Sequence, residues 1–127
     1  MKTKIDKIRI LVADDEPNIL LSLEFLMRKS GYDVFIARNG TEAMEIVKKQ
    51  KPDLAVLDIM MPDIDGYQIC EYIKSKADLS SCKVIFLSAK SKESDIQKGM
   101  SYGADFYMTK PYSTRALMQK VNDLLAE

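Results

Sequence analysis

The stretch from Pro52 to Gly66, PDLAVLDIMMPDIDG, decides the fold. Leu54 to Leu57 form an apolar run without polar alternation, which is typical of a strand buried on both faces of a parallel sheet. Pro52 ends the helical pattern that precedes this run, and the run leads directly into a carboxylate, Asp58. The stretch therefore predicts a buried strand whose carboxyl end carries an acid.

On both sides of this strand, short apolar runs alternate with longer segments of helical period. The predicted strands cover residues 8–13, 33–37, 54–57, 83–87 and 105–109. The first helical segment ends at Ser30-Gly31, and Ser91 and Ser113 are predicted to cap the fourth and fifth helices. Strict alternation of strand and helix predicts a (βα)₅ unit, a parallel sheet with helices on both faces.

The size and charge of the chain narrow the possible functions. Its 127 residues, without an internal repeat or linker, predict one domain over 1–127 with a core of about 7–126. Because 19 basic and 19 acidic side chains cancel, no net charge draws the chain to nucleic acid or to an anionic membrane. No apolar run approaches the roughly 20 residues that span a bilayer. We therefore expect a cytoplasmic protein.

Histidine is absent from the sequence, and cysteine occurs only as Cys70 and Cys82. Without histidine, Ser-His-Asp and Cys-His catalysis and histidine-ligated zinc are excluded. Two thiols are too few for a Cys₄ zinc site, and in a cytosolic domain we expect them to fill the core. Carboxylates, hydroxyls and lysines remain for chemistry.

Such groups follow four of the predicted strands. The first strand ends in Asp14-Asp15, the third in Asp58 and the fourth in Ser88, and the fifth reaches Lys110. In doubly wound sheets, ligands bind at the carboxyl ends of the strands, where the strand order reverses. If strands one, three, four and five are neighbours, these side chains meet in one crevice.

Each of these residues also has a simpler explanation. Asp14 and Asp15 could cap the first helix, Asp58 and Ser88 could be loop residues, and Lys110 could be a solvated charge. Their combination argues for more, because carboxylates held together repel and require a counter-ion. Mg²⁺ prefers oxygen ligands, typically one or two carboxylates with waters and a phosphate. The set therefore indicates a metal site beside a phosphoryl group.

Four segments resemble, in order and spacing, the signatures of response-regulator receiver domains. They are ILVADDEPNI (10–19), LAVLDIMMPDIDGYQI (54–69), VIFLSAKS (84–91) and GADFYMTKPYS (103–113). The resemblance extends from about Ile8 to Leu125. The predicted fold is then a three-layer, doubly wound, flavodoxin-like (βα)₅ domain with a five-stranded parallel sheet in the order 2-1-3-4-5.

The resemblance implies a site for phosphoryl transfer and for Mg²⁺, which Mn²⁺ can replace. Asp58 is the implied phosphoacceptor, and Lys110 is the implied partner of the phosphoryl group. The implied metal ligands are Asp15, Asp14 mainly through water, Asp58 and the main-chain carbonyl of Met60. The domain is implied to promote its own phosphorylation and slow dephosphorylation without being an enzyme in its own right.

The resemblance also implies a switch. Ser88 takes the position of the switch hydroxyl, and Tyr107 that of an aromatic which rotates inward; an ordinary half-exposed strand residue is the alternative for Tyr107. Met60 and Lys90 occupy positions that tune the phosphoryl lifetime in the family. The readout is implied for the surface of the fourth helix, fifth strand and fifth helix.

The implied position of Pro111 is after a cis peptide bond. The implied donor is a sensor histidine kinase or a phosphotransfer protein, and the implied recipient is a downstream effector protein or domain. The residues Phe106, Ala116 and Lys120 replace the acid, acid and arginine of DNA-binding relatives, so we expect a monomer or a weak phosphorylation-dependent dimer. Phe106 is expected either to contact a partner or to pack under the fourth helix.

Other classes share single features with this sequence. Asp63-Ile64-Asp65-Gly66 resembles the DxDG motif of haloacid dehalogenase phosphatases, although that motif should follow the first strand. A calcium EF-hand would need its glycine at the sixth loop position and not at the fourth. A flavodoxin-like FMN site needs a phosphate-cradling loop where this chain has Asp14-Asp15-Glu16. A degenerate receiver that is never phosphorylated is the remaining alternative.

Overall fold

The computed structural model describes residues 7–126, and within them strands and helices alternate throughout. The strands are β1 (Arg9–Ala13), β2 (Asp33–Ala37), β3 (Leu54–Asp58), β4 (Lys83–Ser88) and β5 (Phe106–Thr109). The helices are α1 (Pro17–Lys29), α2 (Gly40–Gln50), α3 (Gly66–Ser75), α4 (Glu93–Ser101) and α5 (Thr114–Ala126). The predicted alternation is confirmed.

The strands form a single sheet in the order β2-β1-β3-β4-β5, and every neighbouring pair is parallel. All residues of β3 are buried, as the unbroken apolar run predicts for a central parallel strand. The strand order turns back between β1 and β3, which places a crevice at their carboxyl ends. The fold class predicted from the sequence is confirmed.

Helices cover both faces of the sheet, so the molecule has three layers. On one face the buried helical residues belong to α1 and α5: Leu20, Leu23, Met27, Leu117, Val121 and Leu124. On the other face they belong to α2 and α3, and Ile96 of α4 packs against them: Ala43, Val47, Ile69, Cys70 and Ile73. Each helix buries only one of its sides. Within residues 7–126, no helix combines the length and apolarity that a bilayer crossing demands.

Two of the helix ends use glycine in the left-handed region. Gly31 follows α1 with φ 95°, and Gly103 follows α4 with φ 98°, a conformation that side chains disfavour. At the start of α5, the Ser113 hydroxyl accepts a hydrogen bond from the Ala116 amide at 3.2 Å. The predicted end of the first helix at Gly31 and the predicted Ser113 cap are confirmed.

Two local expectations are wrong. The cap of α4 is Lys92, without a side-chain hydrogen bond, and Ser91 lies one residue too early to reach the first free amides of the helix. Phe106 is half-buried on the α1 and α5 face, and the Lys120 ammonium lies 4.5 Å from its ring centroid. Phe106 therefore packs on the opposite side of the sheet from α4, which contradicts the expectation that it packs under that helix, whereas its contact with a partner stays a prediction.

The cysteines behave as core residues. Cys70 and Cys82 are both buried and reduced, and burial raises the pKa of Cys70 to about 11 and that of Cys82 to about 12. Thiols with such pKa values are inert at neutral pH. The prediction that these residues fill the core is confirmed.

Candidate phosphorylation and metal site

The register of the sheet brings the two buried acids together. β1 and β3 are neighbours, and Ala13 lies opposite Leu57. The next residues, Asp14 and Asp58, therefore leave the sheet side by side at its carboxyl edge. Asp14 is fully buried and Asp58 is only 5% exposed, so neither carboxylate is screened well by water.

With Asp15, these residues form an acidic cluster. One carboxylate oxygen from each of Asp14, Asp15 and Asp58 lies within 4.8 Å of the other two. Asp15 is exposed and lies on the solvent side of the cluster. Because Asp15 is open to water and its two partners are buried, the cluster has a wet side from which a ligand can enter.

Main-chain amides orient the buried acids. The Glu16 amide donates to Oδ1 of Asp14 at 2.9 Å, and the Met60 amide donates to Oδ1 of Asp58 at 3.2 Å. The Asp14 side chain therefore contacts the residue before α1. Asp14 is not the N-cap of this helix, because Glu16 occupies that position. In both acids Oδ1 accepts from the main chain, which leaves Oδ2 directed to another partner.

That partner is Lys110. Its Nζ lies 3.1 Å from Oδ2 of Asp14 and 3.5 Å from Oδ2 of Asp58. The Lys110 amide donates to the Ser88 carbonyl at 2.8 Å, which extends the β4–β5 ladder up to the lysine. The peptide bond from Lys110 to Pro111 is cis.

The charges of the cluster shift the pKa values of its members. Burial raises the pKa of Asp58, repulsion from Asp14 raises it further, and Lys110 offsets only part of this rise. Burial alone lowers the pKa of Lys110, but the hydrogen bond to Asp14 and the charge of Asp58 outweigh it and hold that pKa above its ordinary value. The site therefore carries more negative charge than its single lysine compensates.

Ser88 and Tyr107 both contact the main chain of Lys90. The Ser88 hydroxyl is buried and accepts from the Lys90 amide at 3.1 Å. The Tyr107 hydroxyl donates to the Lys90 carbonyl at 2.8 Å. Tyr107 is 8% exposed, so it points inward and is not the half-exposed strand residue that was the alternative.

The donor set fits a magnesium ion. The cluster offers carboxylate oxygens alone, the ligand type that Mg²⁺ prefers, and a position open to water where the ion keeps part of its hydration. A divalent cation also supplies the positive charge that Lys110 alone does not. On this chemistry the residues present are suited to the metal that the resemblance implies.

Two other predicted site residues are exposed. Met60 is 60% exposed, while its amide contacts Asp58. Lys90 is exposed as well, so neither side chain belongs to the buried cluster.

The acids of the DIDG segment are engaged elsewhere. Asp65 caps α3 and forms a capping box with Gln68, and Asp63 accepts hydrogen bonds from the start of α2. Neither carboxylate joins the acidic cluster, so the segment is neither a nucleophile motif nor a calcium loop. No sequence pattern predicted the contact of Asp63 with α2, because the partners are more than 20 positions apart.

Comparisons with known proteins agree with this site. Residues 10–122 match the family described as response regulator receiver domain, and the chain belongs to that family. Receiver domains are phosphorylation-activated switches of two-component systems, with histidine kinases or phosphotransfer proteins as donors and effectors as targets.

Solved structures of receiver domains closely match the fold. The signal receiver domain of a signal transduction histidine kinase from Syntrophus aciditrophicus is 34% identical, with a TM-score of 0.84 over 93% of this chain and 89% of that one. The receiver domain of the Francisella response regulator 1452 is 31% identical, with a TM-score of 0.85 over 93% and 96%. The BeF3-activated DrrB receiver domain is 30% identical, with a TM-score of 0.87 over 96% and 100%.

Proposed function

We propose that Asp58 accepts the phosphoryl group, in a reaction that depends on Mg²⁺. The observation that carries the proposal is the meeting of three carboxylates at the carboxyl edge of the sheet, two of which, Asp14 and Asp58, also lie beside the Lys110 ammonium. An acid that is buried, partly compensated and beside a candidate metal site is a suitable acceptor. The exposed side of the cluster gives the donor access.

The transfer begins with in-line attack by a carboxylate oxygen of Asp58 on the phosphorus of a phosphohistidine. As the new P–O bond forms, the P–N bond breaks and its electron pair stays on the imidazole nitrogen. Lys110, 3.5 Å from Asp58, lies where its ammonium can bind an oxygen of the transferred group. Positioning and electrostatic stabilisation dominate in such reactions.

The metal would be held by Asp14, Asp15, Asp58 and the main-chain carbonyl of Met60, and Mn²⁺ would occupy the same place. When bound, the ion supplies positive charge to the phosphoryl oxygens and to the three carboxylates. The supporting observation is that one oxygen from each of the three acids, Asp14, Asp15 and Asp58, lies within 4.8 Å of the other two. Asp14 also keeps its hydrogen bond to Lys110, which fixes the lysine.

Loss of the phosphoryl group completes the cycle, with water attacking the phosphorus and the Asp58 oxygen leaving. Met60 and Lys90 are exposed residues whose amides contact Asp58 and Ser88, and one side chain is bulky while the other is cationic. We propose that both side chains govern how water reaches the phosphorus and so set the lifetime. A hydrolysis rate that is unchanged in both Met60→Ala and Lys90→Ala would contradict this.

The switch is proposed to operate through Lys90. The phosphoryl group adds about −1.5 to −2 charge and strong acceptors, and Ser88 turns its hydroxyl to donate to one of them. The amide of Lys90 then loses its acceptor, while its carbonyl still holds Tyr107. The movement of the Lys90 main chain changes the surface of α4, β5 and α5 and biases a two-state element.

Part of the proposal concerns the organisation of the protein. We propose a single domain over 1–127 that acts in the cytoplasm and binds neither nucleic acid nor membrane. The pair formed by Phe106 and Lys120 covers part of the β5 and α5 surface. This surface lacks the acids of the relatives that dimerise, which supports a monomer or a weak phosphorylation-dependent dimer.

The test is phosphorylation by acetyl phosphate, with Mg²⁺ or with EDTA, followed by intact mass measurement. We expect the wild type to gain one base-labile phosphoryl group only in Mg²⁺, and Asp58→Asn to gain none. Asp123→Asn, which changes an exposed acid on α5, is the matched control and should be phosphorylated like the wild type. Equal mass gain in Asp58→Asn would overturn the assignment of the acceptor.

A further inference from the structure

The loop between β3 and α3, residues 59–65, is fixed at its base by main-chain contacts. The Gly66 amide donates to the Ile59 carbonyl at 2.9 Å. A Cβ atom at Gly66 would lie 2.9 Å from both the Asp58 carbonyl oxygen and the Ile59 Cα, so the two ends of the loop touch. The loop therefore projects from the phosphorylation site as a closed unit.

The tip of the same loop is fixed to α2 by Asp63. Its Oδ1 accepts from the Gly40 amide at 2.8 Å, and its Oδ2 accepts from the Thr41 amide at 2.9 Å and from the Thr41 hydroxyl. These amides belong to the first turn of α2, where helix geometry leaves them without partners. A carboxylate also interacts favourably with the positive end of the helix dipole.

The contact is close as well as polar. A Cβ atom at Gly40 would lie 1.9 Å from the Ile64 carbonyl oxygen, so the loop backbone rests directly on the start of α2. The Thr41 hydroxyl, and with it the main-chain amides, hold the pKa of Asp63 well below its ordinary value. Asp63 is therefore a permanent anion at this junction under physiological conditions.

Between the two fixed points lie only three residues, Met60 to Pro62. We propose that Asp63 is a positioning residue, which through its hydrogen bonds to α2 holds the Met60 main chain in place for the metal and for Asp58. This inference rests on the proposed function, since it concerns the same site. The Met60 amide already contacts Asp58, and the Met60 carbonyl is the proposed metal ligand.

The structure offers a matched control on the same helix end. Asn39 is the N-cap of α2 and accepts from the Glu42 amide at 2.9 Å, but this bond stays within the helix start and does not reach the loop. Asn39→Ala and Asp63→Ala both remove capping hydrogen bonds from α2. Only Asp63→Ala cuts the connection to Met60.

The experiment is calorimetric titration of each protein with Mg²⁺ alone. We expect Asp63→Ala to weaken binding about tenfold, the usual effect of removing a group that orients a metal ligand. Asn39→Ala should bind within twofold of the wild type, although both variants should unfold at lower urea concentration. If Asp63→Ala does not fold, Thr41→Val removes one donor to Asp63 and should weaken binding in the same direction.

Three results would overturn the inference. The first is that Asp63→Ala, or Thr41→Val where that variant is used, binds Mg²⁺ with the same affinity as the wild type. The second is an equal loss in Asn39→Ala, which would trace the effect to fraying of α2. Absence of Mg²⁺ binding by the wild type would overturn the proposed function together with this inference, whereas the first two results leave the proposed function intact.

Discussion

Asp14 and Asp58 leave adjacent strands and share one cation, Lys110. Burial makes each charge expensive, and a single ammonium cannot balance two carboxylates and their neighbour Asp15. The residues that support function here are therefore a source of instability in the metal-free protein. Substitution of Asp58 and of Lys110 should change the free energy of unfolding in opposite directions, which makes this instability measurable.

Replacing Asp58 with asparagine should stabilise the metal-free protein, and increasingly so as the pH rises. Native Asp58 keeps its proton to higher pH than the unfolded chain, because its pKa is raised. The native state then binds more protons, so its free energy of unfolding falls above about pH 4. In Asp58→Asn this fall is absent, and we expect a gain on the order of 1 kcal/mol at neutral pH.

Urea unfolding in EDTA, from about pH 4 to about pH 7, measures this gain. Asp123→Asn, at an exposed position of α5, controls for the loss of one negative charge. A difference between Asp58→Asn and the wild type that stays constant over this range would contradict the prediction.

Lys110→Met should destabilise the protein by about 3 kcal/mol, because it leaves the buried acids without their cation. In an Asp58→Asn background the same substitution should cost less, since one of the two carboxylates is already neutral. Unfolding of the four proteins in a double-mutant cycle gives the coupling energy directly. Equal costs in both backgrounds would show that Lys110 acts only on Asp14.

The sequence predicted the members of the cluster because each follows directly from the end of an apolar strand. Asp14, Asp15 and Asp58 could be placed by counting along the chain. Asp63 could not, because its partners Gly40 and Thr41 lie more than 20 positions away and no local pattern connects them. A contact between a loop and a helix that is distant in sequence depends on the packed geometry, which periodicity does not describe.

At the scale of elements, α4 approaches β5 closely because residue 99 is glycine. A Cβ atom there would lie 2.8 Å from Cδ2 of Tyr107 and 3.2 Å from Cδ2 of Phe86. The helix can therefore cover the inward-pointing Tyr107 ring only without a side chain at this position. The packing of α4 and the orientation of Tyr107 are thus coupled.

Gly99→Ala should displace the Tyr107 ring and break its hydrogen bond to the Lys90 carbonyl. Overpacking costs about 1–3 kcal/mol, more than the roughly 1 kcal/mol that alanine gains over glycine in a helix, so we also expect lower stability. NMR signals of the Tyr107 ring and the Lys90 amide report the displacement. Ser101→Ala, exposed on the same helix, is the control, and identical Tyr107 signals in both variants would contradict the coupling.

The elements themselves were largely predictable, since apolar runs and glycine stops have strong local causes. The second strand has the predicted bounds, and the predicted first strand begins one residue earlier than the observed β1. The cap of α4 was missed because Glu93 and Asp95 favour a start one residue later. Phe106 was wrongly expected under α4, because successive strand residues point to opposite faces of the sheet and Tyr107 occupies the α4 side.

For the whole molecule, the sheet brings together residues that lie almost 100 positions apart. Asp14 and Lys110 meet although one follows the first strand and the other the last. This convergence follows from the strand order, in which β3 and β4 lie between β1 and β5. Alternation of strand and helix predicted the parallel sheet, but the order of the strands came from the resemblance to receiver domains.

Because binding at this edge holds several strand ends together, Mg²⁺ should stabilise the entire fold. A ligand at 100 times its Kd contributes about 2.7 kcal/mol if it binds only the native state. We expect the Tm of the wild type to rise with Mg²⁺ and to fall back on addition of EDTA. The Tm of Asp15→Asn should rise less on addition of Mg²⁺ than that of the wild type. A wild-type Tm that does not change with Mg²⁺ at millimolar concentration would contradict the metal site.

Lys90 separates two properties that are often linked in a signalling protein. Its main-chain amide contacts Ser88 and its main-chain carbonyl contacts Tyr107, while its side chain is exposed. On the proposed mechanism, the main chain transmits the signal and the side chain sets how long the signal lasts. Since every amino acid except proline offers the same amide and carbonyl, the duration of a response can evolve at this position without loss of its transmission.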